Sequence, residues 1–265
     1  MSDKQSRISC VFVHGWAMNH TVWQPLLDKL PSWIDVELMD LPGHGQRYKE
    51  SFSGLRNLTD DVARFCQTVK KDNQPLVLVG WSLGGLPCVQ VAIENSQSVD
   101  ALMLVSSNPC FVTQNDWSYG VDAQVFEQFA ESLKADFSGT IRRFLSLQVK
   151  GSESGRIILR NLREKIMQQA RPNEASLDAG LDVLKQADVR NQLAVIAQPV
   201  CWALGEQDGL VSAELANALK KITEQAEVKV YSKAGHAPFL SHTDEFVLQL
   251  VEFIDCKILT LNSIN

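Results

Sequence analysis

The chain has 265 residues, of which 45% are hydrophobic and 21% are charged, and its formal net charge is −6 at pH 7. This composition excludes a disordered chain, and the acidic balance argues against a general nucleic-acid binder, whose surface would be basic. The length predicts one large α/β domain with room for an insertion.

Short apolar runs alternate with longer amphipathic segments along the first part of the chain. The runs predict strands at 8–13 (ISCVFV), 36–40 (VELMD), 75–79 (PLVLV) and 101–107 (ALMLVSS). Helices are predicted near 21–30, near 57–71 and from Ser82 to about residue 95. Strands of continuous rather than alternating apolar residues are typical of a parallel sheet with both faces buried.

The alternation of strands and helices stops between residues 109 and 190, where the pattern is mostly helical. It resumes with strands at 200–205 (VCWALG) and 227–232 (EVKVYS) and with helices near 212–222 and 243–255. We therefore predict an α/β core whose mostly parallel sheet is covered by helices on both faces. The core comprises residues 1–108 and 191–265, and residues 109–190 form a helical cap inserted after the fourth strand.

The sequence GWSLGG at 80–85 lies between a predicted strand and a predicted helix. Small residues at such a place can mean no more than a tight turn. The pattern G-x-S-x-G is also typical of a nucleophile elbow, where a sharp turn lifts the serine above the carboxyl end of the sheet. We predict that Ser82 is the nucleophile.

A serine nucleophile needs a base, and the base needs an acid that orients it. His236, in KAGHAPF, directly follows the last predicted strand, and Asp208, in ALGEQDGLV, follows the strand before it. Glu206 is the competing acid, but Gly209 and the apolar residues after it suit a loop that turns inward at Asp208. The order Ser, Asp, His along the chain is the one that accompanies a nucleophile elbow.

The developing negative charge of such a reaction needs two backbone N–H donors, which together form an oxyanion hole. One is expected from Leu83, the residue after the nucleophile. The other is expected from Trp16 in the HGW loop that follows the first strand. His14, which opens that loop, and His44 in the PGHG turn are interpreted as structural residues.

The motifs H-G-W, L-P-G-H-G, G-W-S-L-G-G, D-G-L-V and G-H-A-P-F together resemble the α/β-hydrolase superfamily across nearly the whole chain. Two further segments are SSNPCF (106–111) and RFLSLQ followed by GSES (143–154). Together with GWSLGGL, DGLV and HAPF, they are similar to the pimeloyl-acyl carrier protein methyl ester carboxylesterase family of biotin synthesis. The resemblance implies a serine esterase with the triad Ser82, Asp208 and His236, and with no metal or organic cofactor.

The same resemblance implies which residues line the acyl channel. They are Phe144, Leu145, Ser146, Leu147 and Gln148 of the cap, with Trp81 and Phe111 as further walls. Plain packing between cap and core is an equally favoured role for Phe111. Trp16 and Leu83 would bind the ester oxygen.

Positive charge is concentrated in the predicted cap. Residues 131–171 contain nine basic and four acidic side chains, a net charge of +5, which leaves −11 for the rest of the chain. Arg156, Arg160 and Arg163 are spaced to share one stripe of a helix. Alone this pattern indicates a solvated face. With the resemblance it predicts a docking surface for an acyl carrier protein, to which Arg142 and Arg143 would contribute.

Six cysteines without a C-x-x-C pair favour buried, reduced thiols over a disulfide framework. The apolar run near the start is too short for a signal peptide, and none reaches the ~18 residues of a membrane span. We therefore expect a cytoplasmic monomer that binds neither membranes nor nucleic acid.

Three alternative functions remain open at this point. One is another hydrolase on the same scaffold, such as a short-chain carboxylesterase for small free esters or a C–C bond hydrolase. Another is a cofactor-free perhydrolase. The third is a non-catalytic ligand receptor that keeps the pocket without the chemistry.

Overall fold

A single sheet organises the protein, whose computed structural model describes residues 7–149, 153–223 and 225–259. Its strands are β1 (Ile8–Val13), β2 (Ile34–Met39), β3 (Leu76–Trp81), β4 (Ala101–Val105), β5 (Val200–Gly205) and β6 (Glu227–Tyr231). The order is β2-β1-β3-β4-β5-β6, and all neighbouring strands run parallel. The predicted strands and the predicted α/β class are confirmed.

The strand sequences explain which strands lie inside the sheet. Every residue of β1, β3, β4 and β5 is buried, as expected for strands that are apolar throughout. The edge strands β2 and β6 carry charged residues such as Glu37 and Lys229 and are only partly buried. Charged side chains on an edge strand disfavour pairing with the edge of another molecule.

Helices connect the strands, in the positions that parallel crossovers require. In chain order they are α1 (Gln24–Leu27), α2 (Leu55–Val69), α3 (Gly85–Glu94), α4 (Ala123–Ala135), α5 (Phe137–Gln148), α6 (Glu153–Gln168), α7 (Glu174–Gln186), α8 (Leu215–Ile222), α9 (Pro238–Ser241) and α10 (Thr243–Ile254). None of the helices in the described ranges combines the length and hydrophobicity that spanning a bilayer requires.

The helix predicted near 21–30 is instead two short pieces. A 3-10 turn covers His20–Trp23, and α1 follows it from Gln24 to Leu27. Pro25 lies in the first turn of α1, and its missing N–H cannot continue a hydrogen-bonded helix from the preceding residues. A second proline, Pro31, lies just beyond the end of α1 and leads into β2.

The helices α4 to α7 all lie between β4 and β5, so the helical insertion after the fourth strand is also confirmed. Its two ends meet. Cys110 and Asp188 form an antiparallel β-bridge, and the N–H of Val189 donates to the carbonyl of Pro109 at 2.8 Å. The insertion therefore leaves the core and returns to it at nearly one point.

The turn between β3 and α3 depends on close backbone packing at Gly80. A Cβ atom added at Gly80 would lie 2.7 Å from the Cα of Gly85 and 2.8 Å from the carbonyl oxygen of Gly84. Those atoms belong to the first turn of the helix that follows, so they cannot move away without moving α3. Only glycine allows the strand and the helix to approach this closely.

We expect Gly80→Ala to destabilise the folded chain because the new methyl group meets backbone that cannot give way. The expected loss in free energy of unfolding is ~1–3 kcal/mol, measured by urea denaturation. Gly209→Ala is the matched control, since a Cβ there would meet nothing within 4 Å. Equal midpoints for the two variants would contradict the packing argument.

Candidate active site

The residues predicted to act together all follow the carboxyl ends of strands. Ser82 comes directly after β3, Asp208 lies in the loop after β5, and His236 lies in the loop after β6. Because the strands are parallel and adjacent ends lie on one edge of the sheet, these loops converge. The side chains of Ser82, Asp208 and His236 line one cavity.

Ser82 has a strained backbone. Its φ angle is +54°, in the left-handed region that residues other than glycine rarely adopt. Its carbonyl oxygen accepts a hydrogen bond from the hydroxyl of Ser107 at 2.9 Å, which helps to hold the turn. This is the geometry of a nucleophile elbow, in which the strained turn exposes the serine hydroxyl above the sheet.

Asp208 fixes the orientation of the His236 ring. Its Oδ2 lies 2.7 Å from Nδ1 of His236, while its Oδ1 accepts the N–H groups of Leu210 at 2.8 Å and Val211 at 3.1 Å. A carboxylate can only accept, so Nδ1 carries the proton and donates it to Asp208. The other ring nitrogen, Nε2, is then an acceptor.

The Nε2 atom of His236 is buried and makes no hydrogen bond in the part of the chain that the structure describes. A buried acceptor without a partner is costly in an ordinary protein interior. Here His236 lines the same cavity as Ser82, and its Nε2 atom is suited to accept the proton of the Ser82 hydroxyl. Hydrogen bonds between a nucleophile and its base are often loose until substrate is bound.

The loop after β1 lies against the elbow. A Cβ atom added at Gly15 would lie 3.1 Å from Cβ of Ser82, and one added at Gly84 would lie 2.5 Å from the carbonyl oxygen of His14. These contacts place Trp16 next to Leu83. The backbone N–H of Leu83 lies in the first turn after the elbow, where helical N–H groups lack an intrahelical partner. Both N–H groups can therefore serve an oxyanion.

Trp16 also connects the core to the inserted helices. Its indole N–H donates to the carbonyl oxygen of Leu177 in α7 at 2.9 Å. Its ring meets the rings of Phe129 and Phe144 edge-on, with centroids 5.1 Å and 5.8 Å apart. The residue that would supply an oxyanion donor is therefore held by α4, α5 and α7.

The cavity above Ser82 has a volume of about 330 Å³ and mostly apolar walls. Among the residues predicted as walls, Phe111, Phe144 and Leu147 line it. Leu145 is instead buried in the hydrophobic core, and the Ser146 hydroxyl donates to the carbonyl of Arg142. Successive residues of a helix point about 100° apart, so positions 144 and 147 share a face that 145 and 146 do not.

The remaining two predicted walls have different positions. Trp81 is buried beside the site, where its indole N–H donates to the carbonyl oxygen of His236 at 2.8 Å and so holds the histidine loop. Gln148 is the last residue of α5, and the prediction for its side chain lies outside the described residues.

Sequence reasoning missed five apolar walls that come from the inserted helices, namely Val125 of α4 and two pairs of larger side chains. Phe126 and Phe129 of α4 and Leu181 and Leu184 of α7 line the cavity. Each pair is spaced at i and i+3, which indicates one helix face. That spacing shows which face of a helix is apolar but does not show what the face covers.

The five predicted docking arginines lie on two neighbouring helices. Arg142 and Arg143 are exposed on α5, and Arg156 and Arg160 are exposed on α6, where Arg163 is half-buried. None of the five forms an ion pair with another described residue. Leu159, Leu162 and Ile166 of α6 are buried, so the helix packs on one face and presents its charge on another.

A family model described as alpha/beta hydrolase fold matches residues 10–243. The chain belongs to the α/β-hydrolase fold family. Within this α/β-hydrolase family, a pimeloyl-[acyl-carrier protein] methyl ester esterase of Pseudoalteromonas atlantica is 36% identical over 245 residues, covering 91% of this chain and 92% of the relative.

A relative of the same name from Pectobacterium carotovorum is also 36% identical, with 92% of each chain covered. Among solved structures, an esterase from Exiguobacterium antarcticum superposes with a TM-score of 0.83 at 19% identity, covering 95% of this chain and 93% of the other. At that identity the likeness supports the α/β-hydrolase fold alone.

The arrangement of this α/β-hydrolase site is suited to attack on an acyl carbon by a serine hydroxyl. It provides a serine hydroxyl at the cavity wall, an oriented imidazole, N–H donors beside the elbow and an apolar cavity. Within the described ranges, no group of three or more His, Cys, Asp and Glu side chains is placed to hold a metal ion.

We expect Gly180→Ala to lower the rate of ester hydrolysis, although a helix interior is more stable with alanine than with glycine. The new Cβ would lie 2.6 Å from Cδ1 of the Trp16 ring, which is buried and cannot swing away. Displacing Trp16 would misplace an oxyanion donor, and the loss of one donor costs ~10²–10³ in kcat. Steady-state kinetics with a neutral ester tests this, with thermal melting to show that the variant is folded. Unchanged kcat would contradict it.

Proposed function

We propose that this α/β-hydrolase is a serine carboxylesterase that hydrolyses the methyl ester of pimeloyl-acyl carrier protein in biotin synthesis. The observation that carries the proposal is the 36% identity, over 91% of the chain, to a relative with that name. The site residues Ser82, Asp208 and His236 supply the chemistry that such a hydrolysis needs.

The proposed reaction proceeds through an acyl-enzyme. His236 takes the proton of Ser82 through Nε2 as the Ser82 oxygen attacks the ester carbonyl carbon, and the carbonyl oxygen becomes an oxyanion. The N–H groups of Trp16 and Leu83 donate to this oxyanion. When the tetrahedral intermediate collapses, the C–O bond to the methoxy group breaks and His236 protonates the departing oxygen to give methanol.

Water completes the cycle. His236 removes a proton from water, and the hydroxide attacks the acyl-serine carbonyl. The second oxyanion that forms accepts hydrogen bonds from the same two N–H groups. Its collapse breaks the bond to the Ser82 oxygen, which recovers its proton from His236, and releases the free carboxylate. Asp208 stabilises the positively charged imidazolium that exists between these proton transfers.

The apolar cavity is suited to the aliphatic chain of such a substrate. Its walls include Phe126, Phe129, Leu181 and Leu184, and burial of methylene groups against them favours binding by ~0.8 kcal/mol per group. We propose that residues 109–190 act as a cap that covers the acyl chain, while residues 1–108 and 191–265 form the catalytic core. Small free esters are expected to react as well, since they need the same cavity and donors.

The carrier protein would dock on the arginines of the cap. An acyl carrier protein offers an acidic helix and a phosphate on the arm that holds the acyl chain. Arg142, Arg143, Arg156, Arg160 and Arg163 are suited to both groups because guanidinium binds carboxylate and phosphate through paired hydrogen bonds. The excess positive charge of residues 131–171, in a chain that is acidic overall, supports this docking surface.

The proposed location is the cytoplasm, and the proposed state is a monomer. All six cysteines are free, and five of them are buried, as expected for a protein of a reducing compartment. Burial raises the pKa of the Cys66 thiol to about 12, which keeps it protonated and unreactive. Size-exclusion chromatography with light scattering measures the mass in solution, for which 29.5 kDa is expected.

Growth of a biotin-requiring bacterium that lacks its own esterase of this kind tests the function directly. We expect the wild-type chain to restore growth without biotin and Ser82→Ala to fail, because the alanine variant has no nucleophile. Release of methanol from purified pimeloyl-acyl carrier protein methyl ester should show the same contrast. Failure of the wild-type chain in both assays would reject the proposed substrate.

We expect the double charge reversal Arg156→Glu with Arg160→Glu to raise KM for the carrier-bound ester by ~10-fold at low salt, because attraction to the acidic carrier is lost. Its rate should also depend less on salt than that of the wild type. Turnover of a small free ester should not change. Lys220→Glu with Lys221→Glu on α8 is the matched control, since both are exposed and lie outside the cap. Equal effects of the two double variants would contradict local docking.

A further inference from the structure

The loop that carries Trp16 begins at His14 and ends at His20, and both ends lie beside one carboxylate. This carboxylate belongs to Asp40, which directly follows β2 and is 7% exposed. Its Oδ1 accepts the backbone N–H of His20 at 2.7 Å and lies 3.8 Å from Nε2 of His14. Its Oδ2 lies 2.8 Å from Nδ1 of His20. No step of the ester hydrolysis uses these residues.

The loop held in this way does not adopt a relaxed conformation. Ala17, the residue after Trp16, has a φ of +58°, in the left-handed region. Such a residue keeps its conformation only when the surroundings determine it, and its cost is ~1–3 kcal/mol. Between His14 and His20 the backbone has only one turn bond, from the N–H of Met18 to the carbonyl of Gly15 at 3.2 Å. The Trp16 ring is held by the inserted helices, but the backbone of the loop therefore depends on how the loop ends are held.

The carboxylate is itself held from the opposite side by the turn at 42–47. Its Oδ2 also accepts the N–H of Gln46 at 2.9 Å, and Arg47 donates to the backbone carbonyl of Asp40 at 3.1 Å. A Cβ atom at Gly45 would lie 2.3 Å from Oδ2, so glycine is required for this approach. Arg47 is in turn paired with Asp61 of α2 at 2.6 Å. Asp40 thus joins the Trp16 loop to a fixed part of the core.

Hydrogen bonds to the carboxylate favour its ionised form. Burial by itself raises the pKa of Asp40, but the hydrogen bonds from the N–H groups of Gln46 and His20 and from the His20 ring outweigh it, so the pKa lies below its usual value. The His14 ring is anchored as well, since Nε2 accepts the N–H of Leu41 at 3.0 Å and Nδ1 lies 2.8 Å from the carbonyl of Gly15. The loop start is therefore tied to the residue after Asp40.

We propose that Asp40 is a positioning residue for the oxyanion hole, whose carboxylate holds both ends of the 14–20 loop so that the N–H of Trp16 stays directed at the ester oxygen. The proposal rests on the proposed esterase activity, but only on hydrolysis of an ester and not on the carrier-bound substrate. His20 is the second member of this device, because its backbone N–H and its ring Nδ1 donate to the two carboxylate oxygens at the end of the loop.

The test is Asp40→Asn, which keeps the shape of the side chain but places an NH₂ group against an N–H donor. We expect kcat for p-nitrophenyl butyrate to fall by ~10–100-fold, less than complete loss of one oxyanion donor, while KM stays within about two-fold. Affinity for an alkyl trifluoromethyl ketone, which forms an oxyanion on the serine, should fall by the same factor as kcat/KM. Affinity for butyrate should not change.

Asp35→Asn is the matched control. Asp35 belongs to the same strand β2, and its carboxylate pairs with Arg7 and Lys71 at the other end of the sheet. Loss of these contacts should reduce stability without changing kcat or ketone affinity. His20→Ala, at a partly exposed loop position, should lower kcat as Asp40→Asn does. The double variant should be no worse than Asp40→Asn because both act through one contact.

The outcomes separate this proposal from the proposed function. If the wild type hydrolyses p-nitrophenyl butyrate but not the carrier-bound ester, the proposed substrate is rejected. The Asp40→Asn variant still tests the positioning role in that case. If folded Asp40→Asn keeps wild-type kcat and ketone affinity, the positioning role is overturned. If Asp40→Asn does not fold, the His20→Ala variant tests the positioning role instead. Wild-type kcat and wild-type ketone affinity of His20→Ala would overturn the proposal. A wild type that hydrolyses no ester rejects both proposals.

Discussion

The left-handed backbone of Ser82 determines how the surrounding elements can pack. A residue with a side chain pays ~1–2 kcal/mol for this conformation, so the neighbours must hold it in place. They do so by close approach: Gly80 lets α3 lie on the end of β3, and Gly84 lets the end of β1 reach the same turn. The Ser107 hydroxyl fixes the Ser82 carbonyl from the β4 side. Three strand ends therefore meet around one strained residue, and the site is built where they meet.

Much of this arrangement could be predicted from the sequence because it depends on local patterns. Continuous apolar runs predicted the strands, and the positions of Ser82, Asp208 and His236 followed from the strand ends. The residues that line the cavity were harder to predict. The structure separates Phe144 from Leu145, adjacent residues that sequence reasoning treated alike, because helical phase gives them different faces. The spacing along a helix shows which residues share a face, but it does not show which element each face covers.

Long-range partners explain the other omissions. Nothing in the sequence near Trp16 indicates that its indole donates to Leu177, since the two are 161 residues apart. The interpretation of His14 as a structural residue did not extend to Asp40, whose role depends on the contact between two loops. The helix predicted at 21–30 is instead divided for a local reason, the missing N–H of Pro25, which the prediction did not take into account.

The bridge between Cys110 and Asp188 has an evolutionary consequence. The two ends of the inserted segment lie side by side, so the sheet is connected as it would be by a short loop. The entropic cost of closing a loop grows only slowly with its length. Helices α4 to α7 could then be lengthened, shortened or replaced by descent without disturbing β4 or β5. A new set of cavity walls would thus need no change in the sheet, as long as α7 still holds the ring of Trp16.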